Sequence, residues 1–267
     1  MEVTPEANRK PVGRGTTPLV ILTVLLIAVL ISGGVAVWLS VSLHADNDLL
    51  RSQYDKMRGE VNLRLGQGED CKAFVTPSDG FIAAKVFAIA GTFTDNVSQN
   101  WAGWGQLYDW VVENIEYSSD SRLPILPALS SSSDMQLSWE KEYWRTPKET
   151  LEDETGDCED MAVLLASMIL NYTSSKYSTW VITWTSESSS HAAVAIPVQG
   201  GNLTILDPAG DNEIGLHGSL PASDAVADWL GDWPSELGIH VTSVFSNTTY
   251  ETFTSTSEFL EWVTRRT

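Results

Sequence analysis

Cysteine and histidine are scarce in this chain. Among 267 residues there are two cysteines, Cys71 and Cys158, and four histidines, His44, His191, His217 and His240. Two thiols and four scattered imidazoles make no zinc-binding spacing. Basic residues are also few: 16 Lys and Arg stand against 35 Asp and Glu, a net charge of −19. No basic cluster can follow a phosphate backbone, which excludes nucleic acid as a partner and disfavours anionic lipid or polyphosphate. Gly-rich phosphate loops and internal repeats are missing. "DPAGDNEIG" (207–215) is acidic but lacks EF-hand spacing. From these patterns neither a metal nor a cofactor is expected.

One segment lacks charge altogether. Residues 18–43 contain no Asp, Glu, Lys, Arg, Asn or Gln. As a helix they would extend about 39 Å, more than a bilayer core requires. Arg9, Lys10 and Arg14 precede the segment. Positive charge stays inside, so residues 1–17 are expected in the cytoplasm and the rest outside it. A cleaved signal peptide would have a shorter apolar region and small residues before the cut. Leu43-His44-Ala45 is a poor cleavage site, so the reading is an uncleaved anchor over 18–43 in the cell membrane. Residues 1–45 hold two acids and three bases, which leaves 33 acids against 13 bases in residues 46–267. Four sequons, at Asn96, Asn171, Asn202 and Asn247, fit an exported domain.

Beyond the anchor, residues 44–74 read as a helical stalk and 75–267 as the domain proper. "TPSDGFIAAKVFAIAG" is a helix capped by Thr76 or Ser78 and stopped by Gly91. Trp104, Leu107, Trp110, Val111 and Ile115 fall at helical spacing. Residues 118–138, rich in serine and proline, form a long loop. Residues 158–170 are apolar on nearly every face, which marks a central buried helix. "TWVITWT", "SHAAVAIPV" and "LTILD" then read as strands, followed by helix, strand and a capped final helix. Helices segregate before strands, so the expected class is α+β.

"ETGDCEDMAVLL" (154–165) sets Cys158 among Glu154, Asp157, Glu159 and Asp160 where the apolar run begins. If Asp157 or Thr155 caps the helix, Cys158 occupies its first turn, where the helix dipole favours a thiolate. The acids oppose this, so a reactive Cys158 needs a cationic partner, as in Cys–His chemistry with an orienting acid. His191 opens one strand and Asp207 ends a later one, and a hairpin between them can set the two side by side. A buried thiol or half of a Cys71–Cys158 disulfide is the bland alternative for Cys158. A satisfied core histidine and ordinary Asp-Pro turn chemistry are the alternatives for His191 and Asp207. Asp157, Glu159 and Asp160 read as caps and structural acceptors, and Trp144 as core.

"YWRTPKETLEDETGDCEDMAVLLASMI", with "SHAAVAI" and "TILDPAG" following in that order, resembles the heart of the transglutaminase-like cysteine enzyme superfamily. "LYDWVVENIEYSSD" is similar to the helix that commonly precedes that core. The resemblance covers roughly residues 75–210. It implies a papain-like fold, with the cysteine helix packed on an antiparallel sheet. It also implies Cys158 as nucleophile, His191 as base and Asp207 as its orienter. Acyl transfer from a protein or peptide amide through a thioester follows. Hydrolysis by a peptidase or amidase is preferred; a cross-linking transglutaminase or a non-catalytic module of the same fold are the alternatives.

Strand parity adds a geometric condition. His191 and Asp207 share a sheet face only if paired residue numbers sum to an even value, as with a five-residue loop over 197–201. A two-residue Gly200-Gly201 turn would send them to opposite faces.

Overall fold

The uncharged segment lies in one helix, α1 (Thr17–Leu63), whose large apolar side chains from Leu19 to Leu43 are exposed. In this computed structural model, residues 17–94, 96–129, 136–216 and 218–267 are described. α1 is long and apolar enough to cross a membrane. An apolar surface of this kind is stable in lipid, where a helix satisfies its own backbone groups. Residues up to 57 and residues 58–267 form two separate compact units. Leu65, Cys71 and Phe74 are buried in the second unit, so the last part of the expected stalk packs there.

In the second unit, α2 (Gly80–Ala90) is capped by Asp79, which accepts from the Phe81 N–H, rather than by Thr76 or Ser78; Gly91 ends it. α3 (Val97–Asn114) starts earlier than the tryptophan spacing suggests because Asn96 caps the N–H groups of Ser98 and Gln99. The long loop carries a short hairpin, β2 (Leu123–Ile125) against β3 (Ser138–Glu140); residues 130–135 fall outside the described set. α4 (Pro147–Asp153) begins with a reciprocal Thr146–Glu149 capping box. Glu154, in the left-handed conformation, ends it. The next residues, β4 (Thr155–Gly156), lie parallel to β1 (Glu116–Tyr117).

α5 (Cys158–Tyr172) follows at once and is buried along almost its whole length. It packs on an antiparallel sheet that runs β11 (Tyr250–Thr252), β10 (His240–Phe245), β5 (Trp180–Thr185), β6 (Ser190–Val198), β7 (Asn202–Asp207), β8 (Asn212–Ile214). β9 (Leu220–Pro221) also pairs with β7. Alternation divides the sheet between two cores. Ala192, Val194, Ile196 and Leu206 join the core beneath α2, α3 and α5. Ala193, Ala195, Leu203 and Ile205 join the core beneath α6 (Ala222–Gly231) and α7 (Thr256–Thr264). The architecture is α+β, with the cysteine helix on one sheet face and two C-terminal helices on the other.

Candidate active site

β6 and β7 pair with Val194 opposite Leu206 and Val198 opposite Asn202. The connection is therefore three residues, Gln199-Gly200-Gly201, shorter than the five expected but of the same parity. Both glycines have positive φ, 90° and 78°, which a three-residue turn requires and a side chain would resist. Odd length keeps His191 and Asp207 on one face. His191 Nε2 lies 2.6 Å from Asp207 Oδ2, and both residues are buried. Asp207 is held at its other oxygen by the Gly210 N–H, 2.8 Å from Oδ1. A Cβ at position 210 would come within 3.0 Å of that carboxylate, so glycine permits the approach. Among the described residues, His191 Nδ1 takes no hydrogen-bond partner.

Two further groups reach this pair, and neither was visible in the sequence. Trp229, fully buried on α6, donates its indole N–H to Asp207 Oδ2 at 2.9 Å. The rings of Trp233, Trp184 and Trp229 stand 4.7, 5.7 and 6.3 Å from the imidazole. The residues lie far apart in the chain and in unrelated elements, so no local spacing announces them.

Cys158 occupies the first position of α5, at the sheet face that carries Ala192, the residue after His191. The Ala192 N–H reaches its sulfur. Cys158 thus meets β6 beside the backbone of His191, but the imidazole lies on the other sheet face with Trp184 and Trp229, and among the described residues no hydrogen bond joins it to the thiol. The thiol points instead to Glu159 Oε2 at 3.2 Å. Burial, together with the Glu159 and Asp157 carboxylates, pushes the Cys158 thiol well above its ordinary range. This reverses the depressed value expected from the helix dipole: the dipole is outweighed by desolvation and by two acids. Both cysteines are free, which removes the disulfide alternative. Cys71 is buried in the core, and burial pushes its thiol up to about 12.

The acids of the Gly-Asp-Cys-Glu-Asp stretch divide. Asp160 is a structural acceptor: its Oδ1 takes the Arg145 N–H at 2.7 Å and its Oδ2 the Arg145 guanidinium. Gly156 is required beside it, since a Cβ there would sit 2.7 Å from the Asp160 Cβ. Asp157 is the N-cap residue by position, yet its side chain caps nothing. Oδ1 of Asp157 and Oε1 of Glu159 are buried without a donor. Burial raises both carboxyls, Asp157 to about 7; Asp157 raises Glu159 further, while the hydrogen bond from Glu159 lowers Asp157. Two carboxylates this close need a proton or a cation between them. Asp120, Asp157 and Glu159 each offer one ligand oxygen, all within 4.8 Å of one another. These three are the residues that could hold a cation, and an all-oxygen set suits a hard one. The expectation that Asp157 and Glu159 are caps is corrected here. The cluster escaped sequence reading because Asp120 lies in the long loop.

Trp144 packs between Phe74 and Phe245 and its N–H goes to Glu142, as a core residue. His240 Nδ1 bonds the Gly238 carbonyl, away from these groups. His217 lies outside the described residues.

With this geometry stand the comparisons. Residues 84–210 match the family model of the transglutaminase-like domain. The chain is similar to that domain over this stretch. Its fold is similar to that of Legionella pneumophila LapG, at 16% identity and a TM-score of 0.33, over 69% of this chain and 96% of that one. The calcium-bound form of the same protein gives 18% identity and a TM-score of 0.33, over 69% and 98% of the two chains. No curated protein matches the sequence. The family match ends at residue 210, so Trp229 and Trp233, which reach the His191–Asp207 pair, come from sequence beyond it.

Proposed function

We propose that the protein is a membrane-anchored, externally facing cysteine peptidase or amidase acting on a protein or peptide. The observation that carries this reading is the buried His191–Asp207 pair at 2.6 Å, on the strands next to the cysteine helix. Asp207 fixes the imidazole with its proton on Nε2, so that Nδ1 is the nitrogen that accepts. Substrate binding draws the Cys158 proton from Glu159 to His191; such hydrogen bonds commonly tighten only in the complex. The thiolate attacks the amide carbonyl, and the oxyanion meets the Cys158 N–H, which has no acceptor in the first helical turn. Collapse breaks the C–N bond, and the imidazolium gives its proton to the departing amine. Water, deprotonated by His191, then hydrolyses the thioester to a carboxylic acid and free thiol.

The apolar exposed surface of α1 supports the anchor, and Arg9, Lys10 and Arg14 before it support an external domain. The decisive experiment is iodoacetamide labelling of the full chain in detergent, comparing wild type, Cys158→Ala and His191→Ala. Labelling at Cys158 that depends on His191 is expected. Labelling at Cys158 that ignores His191 would overturn the reading. Protease added to intact cells should remove the domain; protection until lysis would reverse the topology.

A further inference from the structure

We infer that Trp229 is a positioning residue of this site, acting through Asp207 on His191. The inference rests on the acyl-transfer reading above. Asp207 Oδ2 receives two donors, His191 Nε2 at 2.6 Å and the Trp229 indole N–H at 2.9 Å, while the Gly210 N–H holds Oδ1. Both oxygens of the carboxylate are thereby tied, and rotation about its Cβ–Cγ bond is stopped. With only the Gly210 contact, Oδ2 could swing off the imidazole plane. The bond is not an incidental satisfaction of a buried indole. Trp104, Trp184, Trp233 and Trp262 leave their buried N–H groups without a partner, whereas that of Trp229 is spent on this one carboxylate. A charged acceptor in a buried place makes such a bond stronger than a neutral one.

The arrangement also explains why α6 packs on β7, the strand that carries Asp207. α6 delivers Trp229 beneath the strand end, and the chain just after it delivers Trp233, whose ring lies 4.7 Å from the imidazole and helps exclude water from the His191–Asp207 bond. A segment outside the matched family region therefore completes the relay that the cysteine depends on.

The test compares full-length wild type with Trp229→Phe and with 3-benzothienylalanine encoded at position 229, which keeps the ring shape but has no N–H. Two signals are read: the rate of Cys158 alkylation by iodoacetamide against pH, and the ¹⁵N NMR signal of His191 Nε2–H. Loss of the N–H is expected to slow alkylation roughly ten-fold, the size of one hydrogen bond to a charged acceptor. It should also move the pH midpoint of the profile and broaden or shift the His191 signal. In an Asp207→Asn background the same replacement should change little, because its route is gone. Equal loss in both backgrounds would make Trp229 merely structural and overturn the inference. So would the benzothienylalanine protein keeping the wild-type rate, profile and His191 signal. If His191→Ala leaves alkylation untouched, the acyl-transfer reading fails instead, and the His191 signal alone then decides Trp229: a shift supports it and an unchanged signal ends it.

Discussion

The thiol of Cys158 donates to Glu159 Oε2, 3.2 Å away on the next residue of the same helix turn. In this arrangement the proton is held by an acid, not by the base. Replacing that acid should release it. Glu159→Gln removes one of the two carboxyls that raise the thiol. Cys158 is expected to alkylate faster at pH 7, on the order of ten-fold for each pKa unit regained. Iodoacetamide kinetics from pH 6 to 10 would check it; an unchanged rate would mean that Glu159 does not restrain the thiol, and a slower one that it activates it.

Stability should fall as pH rises. Asp157 has a folded-state value of about 7, raised from 3.8 mainly by burial, and Glu159 shifts the same way. A carboxyl raised on folding favours the folded state fully below its unfolded value, and that contribution is lost as pH climbs through the folded value. The window is therefore about pH 4 to 7. Thermal unfolding should give a Tm several degrees lower at pH 8 than at pH 5, with the slope reduced in Asp157→Asn. A Tm that rises over this interval would contradict the raised carboxyls.

Gly156→Ala should destabilise the domain by about 1–3 kcal/mol, the usual cost of forcing a methyl into filled space. Its Cβ would lie 2.7 Å from the Asp160 Cβ and 3.1 Å from Oδ2, the atoms that hold Arg145. Denaturant unfolding of the variant would measure this. Wild-type stability would mean that Asp160 moves aside freely.

The four sequons are not equivalent. Asn171 spends its amide on the Pro77 carbonyl and Thr173 is fully buried; Asn202 bonds Ser219 within β7 and Thr204 is fully buried. Asn96 and Asn247 are exposed. In a host that glycosylates exported Asn-X-Ser/Thr, glycans are expected at Asn96 and Asn247 alone, as peptide mass mapping would show. A glycan at Asn171 would require that helix end to open.

How much of this could be read from residues differs by element. The buried cysteine helix, the His191 and Asp207 strands and the uncharged span were legible because each writes a period or a composition into a contiguous stretch. Parity of the β6–β7 connection was legible too, though not its length: Pro197, the first residue of the expected five-residue loop, sits within the ladder opposite Leu203. Proline lacks only its own N–H, and the remaining bonds of the strand outvote it. The acid cluster and Trp229 were hidden for a different reason. Asp120 and Trp229 reach their sites from a loop and a helix whose sequences serve their own folding first. The state of the Cys158 thiol was hidden as well, because it balances a dipole against burial and two neighbouring charges.

The three-residue turn Gln199-Gly200-Gly201 also constrains how this hairpin can change among descendants of the chain. An insertion or deletion of one residue would turn β7 over, sending Asp207 into the core beneath α5 and Leu206 out to meet Trp229, unless a compensating bulge arose in the same step. Two residues gained or lost together would leave every face as it was. Length drift at this tip should therefore proceed in pairs, even though the tip touches none of the reacting groups.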